Sequence, residues 1–166
     1  MADILSVLES FRGTAPVPVF DIVSQLGLGP EFKPLEDDVS GWIELEPSGD
    51  YRIVINSNHA PARKRFTAAH ELGHYIYHRD LLGAGTGDTR AYRAEHSPLP
   101  NAAIRPRHER QANTFAANLL MPAEAISRLR AQGIREIDEM AESLGVSSEA
   151  LRIRLGSNEI IESRVT

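Results

Sequence analysis

The sequence predicts an α+β fold. Three observations carry that expectation. One region of β-type residues surrounds a tight turn, two later segments show helical three-four spacing, and the tail stays helical. Strand character runs from about Phe32 to Asn56. Ser40-Gly41-Trp42-Ile43-Glu44-Leu45 and Tyr51-Arg52-Ile53-Val54-Ile55-Asn56 are rich in β-branched and aromatic residues. Pro47-Ser48-Gly49-Asp50 between them has turn chemistry, so the two runs read as a hairpin.

The other elements follow in chain order. Ala2 to Phe11 reads as a short helix through Ile4, Leu5, Val7 and Leu8. Pro16 to Pro18 breaks the chain. Val19 to Leu26 reads as a second helix, closed by Gly27 and Gly29. The hairpin then leads into a helix from about Pro61 to Arg79. Phe66, Ala69, Gly73, Ile76 and Tyr77 form its apolar or small stripe. Asn58 can cap it, Pro61 suits a first turn, and Gly83 lies past its end.

Gly83 to about Pro106 lacks periodicity, and loops of that length are usually functional or disordered. It reads equally as a lid or as a plain insertion. From Arg107 to Met121 the helical stripe returns as Ala112, Phe115, Ala116, Leu119 and Leu120. Pro122 interrupts, and Ala123 to Ala131 makes a short helix. Ile134 to Leu144, a turn at Gly145, and Ser147 to Leu155 complete the tail. This final pair resembles a helix-turn-helix hairpin.

Composition narrows the chemistry. The 166 residues suit one domain, and 42% hydrophobic with 25% charged residues is the composition of a soluble globular protein. With no cysteine there are no disulfides and no thiolate ligands, so any metal must be held by His, Asp or Glu. The net charge of −5 argues against direct nucleic-acid binding. Arg105, Arg107 and Arg110, and Arg152 and Arg154, read as solvated helix faces. The N-terminus lacks a secretory pattern, and no apolar run reaches the roughly 18 residues of a membrane span. The expected compartment is the cytoplasm.

His70-Glu71-Leu72-Gly73-His74 is the most specific motif. Residues four apart are neighbours on a helix, so His70 and His74 can aim ring nitrogens at one metal ion. Glu71, beside the first histidine, is placed to act as general base. His78 continues the face another four residues on. The added rise of about 6 Å disfavours it as a third ligand and favours a supporting role.

A catalytic zinc takes three protein ligands and leaves one position open. After His74 the candidates are Asp80, Asp88, Glu95, His96, His108 and Glu109. Spacing favours Glu95, whereas placement favours Glu109, which heads the apolar stripe of the Arg107–Met121 helix. A carboxylate there needs a positive partner, either a metal or an arginine such as Arg63 or Arg65. Asn113, one turn on, could orient Glu109. Tyr75, Tyr77, His78, Tyr92 and His96 are candidate donors to an oxyanion. Ile53 to Asn56 could hold a substrate by strand addition, or be plain core.

Two blocks carry a family resemblance. Arg65-Phe66-Thr67-Ala68-Ala69-His70-Glu71-Leu72-Gly73-His74 is one, and the run from Glu109-Arg110-Gln111-Ala112-Asn113 to Met121-Pro122 is the other. Together with Gly41-Trp42 and Ile55-Asn56 they resemble the ImmA/IrrE metallopeptidases over about Pro16 to Leu155. The resemblance implies a minimal zincin-like fold, with a small, mostly antiparallel sheet packed on the active-site helix and a helical C-terminal part. One domain is expected: residues 1–30 as N-terminal helices, 31–60 as the sheet, 61–122 as the metal-site helices with their loop, and 123–166 as the helical end. The resemblance also implies His70, His74 and Glu109 as ligands of zinc, or alternatively manganese, with Glu71 as catalytic base. The implied activity is a metal-dependent endopeptidase that cleaves a helix-turn-helix repressor or antitoxin of the Xre type and so relieves repression. The competing expectation is a module that binds repressor or DNA without cutting, its metal structural or sensory.

Overall fold

The computed structural model describes residues 3–11, 13–82, 90–92 and 103–162. Helices α1 (Ile4–Ser10) and α2 (Val19–Gln25) precede strands β1 (Glu31–Lys33), β2 (Gly41–Leu45) and β3 (Tyr51–Asn56). Helix α3 (Pro61–Tyr77) follows, then a single 3-10 turn at Arg79–Leu81 and strand β4 (Arg90–Tyr92). Helices α4 (Pro106–Leu120), α5 (Ala123–Ala131), α6 (Ile137–Leu144) and α7 (Ser148–Glu162) complete the order. The α+β expectation is met.

The expected hairpin forms. Trp42 pairs with Val54 and Ile43 with Ile53 across antiparallel β2 and β3, and the turn closes through Glu46 N–H to Asp50 C=O at 2.7 Å. A Cβ on Gly41 would lie 2.2 Å from the Val54 carbonyl, so only glycine fits the start of β2. The full sheet runs β1-β3-β2-β4. β4 adds antiparallel to β2, whereas β1 pairs parallel with β3.

Two corrections follow. The stretch from 83 to 106 contains a strand, β4, which is too short for its period to register in sequence. Also, β3 has β1 on one side and β2 on the other from Val54 to Ile55. Ile53 to Asn56 therefore have no free strand edge for substrate addition, because their ladder positions are filled. Among the described residues the edges of the sheet are β1 and β4.

Asn56 closes β3 by capturing the preceding loop. Its side chain is buried, with Nδ2 2.9–3.3 Å from the carbonyls of Leu35, Glu36 and Val39. Its Oδ1 accepts from the backbone N–H of Leu35 and Asn58. Asn58 is thus engaged in this turn, and the N-cap of α3 is Ala60, with Pro61 in the first turn as expected.

Ala68, Ala69 and Leu72 of α3, all fully buried, meet Ile43, Ile53 and Ile55 of the sheet in one apolar cluster. Burying a side chain of this size contributes about 1.5–3 kcal/mol. Tyr77, expected on this stripe, is instead half exposed. The helix ends two residues before Arg79, with His78 at its C-cap. On α4 the fully buried positions are Ala112, Ala116 and Leu120.

At the C-terminal end, α6 stops at Gly145, whose φ of 68° is left-handed. Arg65 of α3 donates through Nε to the Gly145 carbonyl at 2.9 Å, tying this turn to the long helix. Arg154 of α7 likewise donates through Nε to the Met121 carbonyl at 3.2 Å. Among the described residues, no helix is long and apolar enough to cross a membrane.

Candidate metal centre

α3 and α4 run antiparallel and very close. His70 meets Asn113, His74 meets Glu109, and His78 meets Gln111. Small residues permit the approach. A Cβ on Gly73 would lie 3.1 Å from Phe115 Cδ1 and 3.2 Å from Ala112 Cα. The glycine inside the histidine motif therefore sets the spacing of the two helices.

On this frame three side chains converge. His70 Nε2 and His74 Nε2 are 3.0 Å apart. Glu109 Oε2 lies 3.0 Å from His70 Nε2, and Glu109 Oε1 lies 3.3 Å from His74 Nε2. His74 is fully buried, and the His70 side chain is 12% exposed. Among the described residues these three form a group whose donor atoms all lie within 4.8 Å of one another.

The neighbours of the rings determine what those nitrogens carry. Asn113 Oδ1 can only accept, so His70 Nδ1, 2.7 Å away, is the protonated nitrogen of that ring. Gln111 Oε1 likewise accepts a hydrogen bond from His78 Nε2–H at 2.8 Å. With its proton on Nε2, His78 presents a lone pair at Nδ1, which accepts from His74 Nδ1–H at 2.9 Å. Both Nε2 atoms are left as lone pairs facing each other and a carboxylate. Without a positive charge this arrangement repels itself, and a cation between the three atoms removes the repulsion. The donor set fits a metal: two neutral imidazoles, their tautomers fixed from behind, and one carboxylate.

Without metal, protons on the imidazoles take the cation's part: burial pushes the Glu109 carboxyl up, but hydrogen bonds and positive charge from protonated His70 and His74 outweigh it and hold it well below the usual carboxylate range. His108, whose ring meets that of His78 edge-on with centroids 4.7 Å apart, is lowered by desolvation and then by His78, Arg107 and Arg105. Glu71 is 1% exposed, and its Oε2 accepts no hydrogen bond.

Several expected residues take other places. Asn113 bonds His70 and not Glu109. Arg63 donates to Ser40 Oγ and Arg65 to Gly145, so neither is the partner of Glu109. Tyr75 is packed edge-on to Tyr51, with the Arg79 guanidinium 3.9 Å above its ring, which directs it toward the sheet. Tyr77 sits edge-on to Phe115, beside His78. Asp88, Glu95 and His96, and the bulk of the 83–106 segment, lie outside the described residues.

Gln111 was not among the sequence candidates. Its signal was available, since it lies three residues after His108 and shares the face of α4 that meets His78. The role of His108 as a cap was also missed. Its Nδ1 accepts from the backbone N–H of Arg105 at 2.9 Å.

Comparison with known proteins bears on this arrangement. The family model described as IrrE N-terminal-like domain, a peptidase family, matches residues 33–156, which include all of α3 and α4. The "Uncharacterized immunity region protein 2" of Bacillus phage phi105 is 27% identical over 120 residues, covering 72% of this chain and 68% of that protein.

Proposed function

This chain belongs to the IrrE N-terminal-like family of peptidases, and from that premise we propose that it is a zinc-dependent endopeptidase acting on a helix-turn-helix repressor or antitoxin. The observation that carries the reading is the convergence of two imidazole lone pairs and a carboxylate from two antiparallel helices. His70, His74 and Glu109 would hold the metal. Two histidines with one glutamate and an open position are a ligand set of catalytic zinc. Bound there, zinc would polarise the scissile carbonyl and acidify a water molecule.

The chain's own residues supply the rest. Glu71 takes the proton from the attacking water as the oxygen closes on the peptide carbon. It then returns that proton to the leaving nitrogen as the C–N bond breaks. Asn113 keeps the His70 ring turned toward the site, and His78 with Gln111 does the same for His74.

The substrate reading rests on the ImmA/IrrE resemblance of the sequence, and the relative named for a phage immunity region supports it. A protein acting on a transcriptional repressor works where the repressor is, in the cytoplasm. The test is to incubate the zinc-loaded protein with the repressor encoded beside it and to weigh the products. Two fragments whose masses sum to the repressor plus water are expected. An intact repressor, under conditions where the protein holds zinc, would refute the reading.

A further inference from the structure

The two helical stripes that carry the proposed ligands continue past them. On α3, four-residue steps back from His74 pass through His70 to Phe66 and Ala62. On α4, the matching steps forward from Glu109 pass through Asn113 to Ala117 and Met121. Because the helices are antiparallel, these continuations lie side by side, and α7 forms a third wall with Ala150, Ile153 and Arg154. They enclose a groove of about 940 Å³. That is near the top of the range of about 300–1,000 Å³ seen for drug-sized ligand sites and far more than one side chain fills.

Asn113 belongs to both features. It lines the groove, and its Oδ1 holds His70. The groove therefore lies beside the metal centre, on the side of His70 that Asn113 holds. Its lining suits a polypeptide. Ile153 is 69% exposed, one of few large apolar side chains so placed among the described residues. The amides of Asn113 and Asn118 offer donors and acceptors to a peptide backbone.

We propose that this groove seats the substrate chain on one side of the scissile bond, with an apolar side chain against Ile153. The assignment rests on the peptidase reading and deepens it. No free strand edge is required at β3, whose ladder positions are filled.

The test uses the zinc-loaded protein and a synthetic decapeptide mixture of randomised sequence, with cut sites read by mass spectrometry. An apolar residue should be enriched at one fixed distance from the cut. Ile153→Asp, at a position too exposed to hold the fold, should lower cleavage of those peptides by about tenfold or more. It should also shift the preference at that distance toward lysine or arginine, while zinc content stays unchanged. An unaltered profile would overturn the proposal and leave the peptidase reading standing. If the wild type cuts nothing, a photo-crosslinking phenylalanine analogue at position 153 of zinc-loaded Glu71→Gln protein decides the matter. Crosslinks to the peptides would support the groove without the activity. Their absence, or crosslinks only between copies of the chain, would overturn it.

Discussion

The Nε2 atoms of His70 and His74 face each other at 3.0 Å, and the opposite nitrogen of each ring is already committed. Asn113 holds Nδ1 of the first, and His78, itself held by Gln111, holds Nδ1 of the second. The two lone pairs are thus fixed by residues that do not themselves face the metal position.

If His78 fixes the ring of His74, His78→Ala should weaken zinc binding by about 10–100-fold while leaving the fold intact. Gln111→Ala should have a smaller effect in the same direction. Competition with a chelator of known affinity measures both. Unchanged zinc affinity in both variants would show that the relay is incidental.

Glu71 separates chemistry from binding. Glu71→Gln should keep zinc and substrate affinity but slow cleavage by at least about 10²–10⁴-fold, the range of a lost general base. Cleavage at the wild-type rate would remove Glu71 from the mechanism.

Gly73 sets the helix spacing. Gly73→Val places new atoms against Phe115 and Ala112. Overpacking of this kind costs about 1–3 kcal/mol. The variant should melt at lower temperature and lose zinc affinity, because α4 carries Glu109 away from the histidines. A variant that bound zinc normally would show that the close approach is not needed.

The pH dependence follows from Glu109. Its folded carboxyl is depressed, so its contribution to stability is present above the unfolded value of about 4.3 and is lost as pH falls toward the folded value. Glu109→Gln should therefore flatten the acid limb of metal-free stability below about pH 4.3. Acid should also release zinc, because the imidazoles bind metal only in their deprotonated form. Thermal melts across pH, with and without zinc, separate the two. An acid limb identical in both proteins would contradict the ion pairing of Glu109.

Much of this arrangement was legible because it is local. His70 and His74 are four apart on one helix, so periodicity placed both, whereas Glu109 heads a clear stripe but had Glu95 as a rival until the family resemblance pointed to it. The hairpin announced itself through alternating β-type residues and a glycine turn. What stayed hidden depends on long-range pairing. β1 joins β3 across an intervening hairpin, which no local pattern specifies, and this pairing turned β3 from a candidate edge into an interior strand. Tyr75 and Tyr77 both looked available, but two residues of helical rotation, about 200°, send Tyr75 to the sheet and leave Tyr77 exposed. The partner of Asn113 could not be read from α4 alone, since it lies on α3.

Zinc stoichiometry tests the central claim most directly. The wild-type protein, refolded or dialysed with zinc and freed of excess, should retain stoichiometric metal. His70→Ala, His74→Ala and Glu109→Ala should each lose it without unfolding. Stoichiometric zinc in all three variants, at unchanged affinity, would contradict the assignment of this centre.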